Sequence, residues 1–286
     1  MTLAPSPKSS DRILLIAAHT DDEVIAAGGY LTAARETGSA ITVVILTNGD
    51  ANRLSAALLG RTLRPTHHAF VREGEIRQQE SIDALSRLGL GRTQIVFFGF
   101  PDRGLAALMG PHMSKSSPFT SPFTGTSAPP YAGVFRPAAH YTGEELTESL
   151  TEIISDFRPT VLLTHSTLDH HPDHRATAEF VSIALDRAAY ASALSVKRFG
   201  FLIHADDFPR PLRYDPQAAL GPPPSLRAQA TWMLFPLPPA TVSLKGEAMR
   251  SYRTQYQSPY LRLLLSGFIR SNELFIEEQV AGVAGD

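Results

Sequence analysis

The chain lacks cysteine entirely, and it has neither a long hydrophobic run nor a surplus of one charge. Without cysteine there is no disulfide, no thiolate ligand and no cysteine nucleophile, so any bound metal must rest on nitrogen and oxygen ligands. No apolar stretch approaches the roughly 20 residues that a membrane-spanning helix needs, and the N-terminus lacks the apolar core of a secretory signal. These absences predict no membrane span and favour a cytoplasmic location.

The composition describes an ordinary globular protein. Hydrophobic residues make up 43% of the 286 residues and charged residues 19%, which is enough to build a sizeable core. The formal net charge is -2, whereas proteins that bind phosphate backbones usually carry a basic surplus, so nucleic acid is not expected as a partner. We expect a flexible tail over residues 1–11 and a single domain over residues 12–286, and a homo-oligomer is compatible with this composition.

Segments typical of strands and helices alternate along the chain. The apolar run RILLIAA at residues 12–18 predicts a buried strand, residues 23–38 predict a helix that ends at Gly38, and residues 41–50 predict a second strand. The same patterns predict further strands and helices at 73–89 (helix), 94–100 (strand), 143–157 (helix), 160–166 (strand), 172–190 (helix), 197–204 (strand), 230–235 (strand) and 244–256 (helix). This order predicts an α/β fold of Rossmann-like type, doubly wound, with a mainly parallel sheet and helices on both faces.

One segment interrupts the alternation. Residues 111–137 are rich in Pro, Ser and Thr with scattered aromatic residues, and this composition predicts a long loop. The loop is either a spacer without a role or a lid over a binding site, because long loops in compact domains are often functional. We expect four aromatic side chains to close over a substrate: Phe119, Phe123, Tyr131 and Phe135.

Polar residues cluster where two of the predicted strands end. AHTDDE at residues 18–23 follows the first strand, and DHHPDH at residues 169–174 follows the strand at 160–166. Ligands of open α/β sheets bind at the carboxyl ends of strands, where loops converge. The acidic residues of the first cluster could instead complement a helix N-terminus. Histidines beside carboxylates in the second cluster favour a metal site.

These paired motifs resemble the LmbE-like or PIG-L-like N-deacetylases, whose signature is a PHPDDE-type motif followed by an HPDH-type motif. The resemblance extends from Arg12 to about Leu185 and includes RQQESIDALSRLG, GFPDRGL and the late KGEAMRSYRTQY. Thr20 stands where the family usually has proline, which removes no ligand. Asp169 stands where some members have tyrosine, so that tyrosine's role is either absent or supplied from elsewhere.

The resemblance implies zinc held by three ligands, His19, Asp22 and His174. It also implies Asp21 as general base, His171 beside the developing oxyanion and Asp173 orienting His171. A catalytic zinc site needs three protein ligands and one open position, which agrees with this set. Iron(II) is possible on the same ligands, because two histidines and one carboxylate also describe non-haem iron sites.

The family further implies that Arg77 and Asp102 contact the substrate, although Arg77 could be a solvated helix charge and Asp102 a turn residue. The predicted function is a zinc-dependent hydrolase that removes an acetyl group from an N-acetylated amino sugar or its conjugate. The predicted partner is therefore a small molecule.

Three other functions are compatible with parts of the pattern. The same centre could serve an amidase acting on a thiol conjugate or another non-sugar amide. A non-catalytic nucleotide-binding module is disfavoured, because the first turn reads HTDDE instead of a glycine-rich sequence and its carboxylates would repel a pyrophosphate. A non-catalytic sugar-binding protein is disfavoured by the presence of Asp21 and His171 together.

Overall fold

A computed structural model describes residues 1–192 and 194–278. Among these residues, one sheet of eight strands is flanked by helices. The strands are β1 (Thr2–Leu3), β2 (Arg12–Ala17), β3 (Ala40–Thr47), β4 (Ile95–Phe100), β5 (Val161–His165), β6 (Lys197–Phe201), β7 (Trp232–Pro236) and β8 (Asn272–Glu278). The α-helices are α1 (Asp22–Thr37), α2 (Arg53–Gly60), α3 (His67–Arg87), α4 (Leu105–Leu108), α5 (Gly143–Phe157), α6 (Pro172–Ser192), α7 (Pro239–Met249), α8 (Arg253–Tyr256) and α9 (Pro259–Gly267).

The sheet confirms the predicted fold class. Its strand order is β1-β7-β8-β6-β5-β2-β3-β4, and every pairing is parallel except the two made by β8. From β2 the chain proceeds outward through β3 to β4, then returns to place β5 on the opposite side of β2. The boundary between β2 and β5 is therefore the topological switch point, where a crevice opens at the carboxyl ends of the strands.

Strand β2 shows why the first strand reads as a continuous apolar run. Its alternate residues enter two separate cores, with Ile13 and Leu15 on one face and Leu14 and Ile16 on the other. Helices α1, α3 and α7 cover the first face, and α4, α5 and α6 cover the second. In a strand that is buried on both faces, polar and apolar residues do not alternate. Such continuous apolar strands are typical of parallel sheets covered by helices on both sides.

The predicted boundaries agree closely for the N-terminal two thirds. Helix α5 spans the predicted residues, and α1 ends at Gly38, which adopts a left-handed conformation with φ of 78°. The C-terminal helix predicted over 244–256 is divided into α7 and α8, and β1, α2, α4, α9 and β8 are additional elements.

The N-terminal residues differ from the expected flexible tail. Thr2 and Leu3 pair with Met233 and Leu234 of β7, and the Ala4 N–H donates to the Leu234 carbonyl at 2.8 Å. The short strand covers the outer edge of β7. The predicted division into domains otherwise stays a prediction, and its residues 193 and 279–286 lie outside the described residues.

Helix α1 is broken in its middle by a buried ion pair. Ala27 departs from helical geometry with φ of -140°, and the N–H groups of Gly29 and Tyr30 donate to the Glu273 carboxylate at 2.7 and 2.8 Å. Lys245 Nζ donates to the Ile25 carbonyl at 2.8 Å and to Glu273 Oε1 at 2.7 Å. The pair therefore satisfies backbone groups on both sides of the break.

Candidate active site

The two polar clusters meet at the switch point. The first occupies the turn between β2 and α1, and the second follows β5 and runs into α6. Because β2 and β5 are adjacent and parallel, both loops leave the same edge of the sheet. A cavity of about 300 Å³ opens there, and residues from both loops line it, among them His19, Asp21, Asp22 and His171. The sequence prediction that these motifs form one site is consistent with this placement.

The three predicted metal ligands form a compact triangle. His19 Nδ1 lies 3.1 Å from His174 Nε2 and 3.2 Å from Asp22 Oδ2, and His174 Nε2 lies 3.3 Å from the same oxygen. Ligand atoms about 2.0–2.1 Å from a tetrahedral zinc ion lie about 3.3–3.4 Å from one another. All three side chains are buried, with at most 8% of the residue exposed. The donor set and its spacing therefore fit a divalent metal ion.

A second grouping, of Asp22, His165 and His174, is also compact enough to hold an ion. His165 Nε2 lies 3.2 Å from Asp22 Oδ2, but it accepts the backbone N–H of Ala18 at 3.0 Å. An imidazole nitrogen has a single lone pair, so this bond occupies the atom that would ligate. Burial and the nearby His174 lower the pKa of His165 to about 4, which agrees with a neutral ring. His165 therefore lies beside Asp22 and is not a competing ligand.

Each histidine of the triangle has a carboxylate at its far nitrogen. Asp102 Oδ1 lies 3.3 Å from His19 Nε2, and Asp169 Oδ2 lies 3.1 Å from His174 Nδ1. Such carboxylates fix the tautomer and orientation of metal-binding histidines. Burial alone would raise the pKa of Asp102, but its hydrogen bond to His19 and the nearby charges hold it well below the usual range.

Asp169 is a site residue that sequence reasoning did not assign. Besides facing His174, its carboxylate accepts the backbone N–H groups of Ile203, His204 and His171 at 2.8, 3.1 and 2.8 Å. It therefore ties the HPDH loop to the segment that follows β6. Its only sequence signal is its position two residues before His171, where some members of the family have tyrosine.

Asp21 lines the cavity beside the triangle in a strained backbone conformation. Its φ is 116°, a region that residues other than glycine rarely adopt. The Asp21 N–H donates to Glu23 Oε2 at 2.8 Å, and Arg77 Nη2 donates to Asp21 Oδ2 at 3.2 Å. Burial raises the pKa of Asp21, and the charge of Arg77 opposes part of that rise. Glu23 thus fixes the backbone of Asp21, and Arg77 fixes its carboxylate.

Arg77 lies at the cavity with most of its side chain enclosed by the protein. It is only 5% exposed, although it lines the cavity. Its Nη1 donates to the Gly49 carbonyl at 2.7 Å, and its Nη2 donates to the Thr20 carbonyl at 2.7 Å as well as to Asp21. These bonds connect the loops after β2 and β3, so Arg77 acts on Asp21 and on the cavity floor.

Asp173 contacts His171 through its backbone N–H and not through its carboxylate. The Asp173 N–H donates to His171 Nδ1 at 3.2 Å, whereas its carboxylate accepts the Arg103 N–H at 2.6 Å and lies 3.4 Å from His19 Nε2. Burial and the nearby charge of His19 lower the pKa of His171, so its ring is neutral. With Nδ1 accepting, the proton sits on Nε2, where it can be donated to a ligand.

The wall of the cavity comes from segments far along the chain. Ile203 and His204 follow β6, Gln255 belongs to α8, and α9 supplies Leu261, Leu264 and Leu265. Ile203 and the three leucines make part of this wall apolar. Sequence reasoning missed these residues, because only KGEAMRSYRTQY pointed to the C-terminal region at all.

The prediction that residues 111–137 form a lid over the site is wrong. None of them lines the described cavity. Their aromatic side chains contact other parts of the protein: Phe135 stacks on Phe98 at 5.5 Å, Phe123 meets Phe70 at 5.3 Å, and the Tyr131 hydroxyl donates to Asp50. The loop is irregular as predicted, but it covers the outside of β4 and α3.

The fold and the site together define a Rossmann-like α/β protein with a buried His and Asp cluster, able to hold a divalent metal, at the switch point of its sheet. The chain belongs to the PIG-L family, described as GlcNAc-PI de-N-acetylase, whose family model matches residues 14–185. No described helix is long and apolar enough to cross a membrane.

Curated relatives share this family. The chain is 28% identical over 189 residues to a 1D-myo-inositol 2-acetamido-2-deoxy-alpha-D-glucopyranoside deacetylase of Tsukamurella paurometabola, a match that covers 62% of this chain and 56% of the relative. The match thus spans little more than half of the relative's length.

Solved structures show the same fold at low identity. The A40926 pseudoaglycone deacetylase Dbv21 superimposes with a TM-score of 0.55 at 22% identity, over 93% of this chain and 96% of the other. A 4-carboxy-2-hydroxymuconate hydratase, GalB from Pseudomonas putida KT2440, superimposes with a TM-score of 0.51 at 17% identity, over 89% and 82%. The fold is therefore shared by proteins named for different reactions.

Proposed function

We propose that the chain is a metal-dependent hydrolase that removes an acetyl group from an N-acetylated amino sugar or its conjugate, of the N-acetylglucosamine type. One observation carries the proposal: His19 and Asp22, two members of the triangle with His174, line the same cavity as the carboxylate of Asp21, which is not part of the triangle. Hydrolysis needs both parts, a site for a Lewis acid and a separate group that accepts and returns a proton.

Zinc is the metal we propose for the triangle. Two imidazole nitrogens and one carboxylate oxygen suit zinc, and amide hydrolysis requires no change of oxidation state. Iron(II) fits the same donors and is the alternative. When bound, the ion supplies Lewis acidity that activates water and polarises a carbonyl oxygen.

The residues of the chain supply the proton transfers and the positioning. Asp21 takes a proton from the attacking water and returns it to the amine nitrogen as the carbon–nitrogen bond breaks. Its raised pKa favours this exchange near neutral pH. The Nε2–H of His171 donates to the oxyanion that forms on the carbonyl oxygen. Asp102 and Asp169 hold the rings of His19 and His174 in place.

The substrate class rests on the family and on the relatives. The curated relative named above acts on an acetamido sugar joined to inositol, as its name states. In this chain, Asp102 and the surface of Arg77 at the cavity floor are proposed to meet sugar hydroxyls. Asp102 is 8% exposed and Arg77 5% exposed, so each offers a small part of its side chain.

Acetate release tests the proposal. Purified protein, stripped by chelator and then reloaded with zinc or iron(II), is incubated with N-acetylglucosamine, its glycosides and its inositol conjugate. We expect acetate and a free amine from at least one conjugate, only with metal present, and none with the Asp21→Asn variant. The matched control is Asp186→Asn, an exposed carboxyl on α6 that lines neither cavity.

Two outcomes would redirect the assignment. Rapid cleavage of a thiol conjugate or another non-sugar amide, with no acetylated sugar turned over, would retain the metal centre and replace the substrate. Addition of water to a carbon–carbon double bond without amide cleavage would place the chain with the hydratase of the same fold. A cytoplasmic location and a homo-oligomeric state stay predictions.

A further inference from the structure

A second cavity, of about 390 Å³, opens on the surface where the end of α3 meets the connection between α7 and α8. Three arginines line it, Arg87 from α3, Arg250 from the connection and Arg253 from the start of α8, together with Asp83, Ser86 and Ser251. The catalytic residues described above do not reach this cavity. Its six lining residues carry three positive charges and one negative charge.

The three guanidinium groups are available for a ligand. Within residues 1–192 and 194–278, none of them has a carboxylate oxygen within 4.0 Å. Arg87 Nε donates to Ser251 Oγ at 3.1 Å, which leaves its terminal nitrogens free of carboxylates. The Asp83 carboxylate accepts Gln79 Nε2 at 2.8 Å, and Glu80 accepts the N–H and hydroxyl of Thr254. The neighbouring acids are thus bound to other groups.

We propose that this cavity is an anion site that binds a phosphate group. Guanidinium groups present paired donors that match the oxygens of a phosphate, and three of them around one concave surface can neutralise a dianion. The oxygens of Ser86 and Ser251 add hydroxyl donors of the kind that phosphate also accepts.

The same short segment connects this anion site with the catalytic cavity. Arg250, Ser251 and Arg253 face the anion site, whereas Gln255 lines the catalytic cavity. Between them, the buried Tyr252 hydroxyl donates to Glu23 Oε1 at 2.7 Å, and Glu23 Oε2 holds the Asp21 N–H. Phosphate bound to the arginines therefore orders a segment that sets the position of Tyr252 and, through Glu23, of Asp21.

Binding is tested with inorganic phosphate by calorimetry on the metal-loaded protein. We expect saturable binding at the anion site that weakens at least about tenfold in the Arg87→Gln/Arg250→Gln variant, since charge-assisted bonds are lost. The matched control is Arg72→Gln, an exposed arginine on the same helix α3. Absence of saturable binding, or binding that persists unchanged in the double variant, would overturn the proposal, because the anion would then lie elsewhere, for example at the metal.

Coupling has its own readout. Saturating phosphate should slow amide hydrogen exchange over residues 250–256 in the wild type and not in the double variant, and unchanged exchange would overturn the coupling. Turnover of paired substrates with and without a phosphate group then separates the two sources of the anion. A free effector changes the KM of the unphosphorylated substrate, whereas a phosphate that belongs to the substrate lowers the KM of the phosphorylated one and is displaced by inorganic phosphate.

Discussion

Asp21 combines three features that rarely coincide at one residue. It is buried, its φ of 116° is strained, and its carboxylate is not part of the ligand triangle. Backbone strain of this kind costs about 1–3 kcal/mol and persists only where surrounding contacts enforce it. Here Glu23 holds the N–H and Arg77 holds the carboxylate. The strain therefore turns the side chain toward the cavity, and away from the adjacent ligand Asp22.

The exchange Asp21→Asn tests this separation of roles. Asparagine tolerates positive φ and keeps the size of the side chain, so metal content should remain near that of the wild type. The turnover number should fall about a hundredfold or more, because no proton acceptor remains. Metal analysis and acetate release measure the two effects. A variant with full activity would place the base elsewhere.

Asp169→Asn tests the support of His174. Loss of the carboxylate should weaken metal affinity by about 10-fold to 100-fold, the usual effect of removing a partner of a metal-binding histidine. Competition with a fluorescent chelator gives the affinity. The control is Asp186→Asn on helix α6, where the side chain is exposed. Equal metal affinity in both variants would mean that Asp169 connects the loops but does not support His174.

Glu73 makes stability depend on pH. It is fully buried, and burial raises its pKa to about 8 although Arg77 and the Ser55 hydroxyl act in the opposite direction. A carboxyl whose folded pKa exceeds its unfolded value stabilises fully below the unfolded pKa, near 4.5, and loses that contribution as pH rises through 8.

The Glu73→Gln variant should therefore gain stability over the wild type as pH rises. Urea unfolding at intervals from pH 5 to pH 8 should show the difference in free energy of unfolding grow by more than about 1 kcal/mol in favour of the variant. Glu75→Gln, an exposed neighbour, should show no such trend. A constant difference for Glu73→Gln would mean that its carboxyl ionises normally.

Site residues could be predicted from the sequence where the end of a nearby strand determines their position. His19, Asp22 and His174 could be placed together from sequence, because each follows a strand that ends at the same edge of the sheet. Asp169, His204 and the leucines of α9 could not, since their positions depend on loop conformations and on contacts between distant segments.

At the scale of elements, the break in α1 determines how the first motif is supported. The first half of the helix carries the motif residues Asp22 and Glu23. Near the break, its Ile25 carbonyl accepts a hydrogen bond from Lys245. The second half begins at the Glu273 carboxylate, which acts as a cap. Helix α7 and strand β8 therefore hold the catalytic helix from the C-terminal part of the chain.

The Lys245→Met variant tests how much the buried ion pair of Lys245 and Glu273 contributes to stability. Removing one partner of a buried ion pair costs about 3–5 kcal/mol, because the remaining charge is left uncompensated. Denaturant unfolding should show that loss, and the Lys245→Met/Glu273→Gln variant should lose less than the sum of the two single changes. Lys197→Met, at an exposed strand end, is the control. Additive losses would show that the pair is not coupled.

The elements that sequence patterns missed have physical reasons for being missed. Strand β8 has the sequence NELFIEE, in which Asn272 and Glu273 are buried and accept hydrogen bonds inside the protein. Because these residues are polar, the sequence does not resemble a strand from the interior of a sheet. The sequence over residues 244–256 is compatible with one continuous helix, because residues 250–252, where α7 and α8 are separated, contain no proline or glycine. The loop over 111–137 was predicted as irregular from its composition, but composition does not indicate which surface a loop covers.

At the scale of the whole molecule, metal binding and stability should be linked. Three ligands converge only in the folded chain, so binding energy adds to the stability of the folded state. The protein should carry about one divalent ion per chain, and chelation should lower its Tm. The His19→Ala/His174→Ala variant should bind no stoichiometric metal and show no Tm change on chelation. Stoichiometric metal in that variant would overturn the ligand assignment.

The position of β8 in the sheet governs the order in which the chain can assemble. Strands β2 to β6 are neighbours of one another and can pair as soon as residues up to 201 have left the ribosome. Strand β7 has no place until β8 forms between it and β6, and β1 pairs only with β7. Thr2 and Leu3 therefore precede every other described strand along the chain but join the sheet only through β7, and until β8 pairs with β6 the outer edge of β6 is open to a second chain.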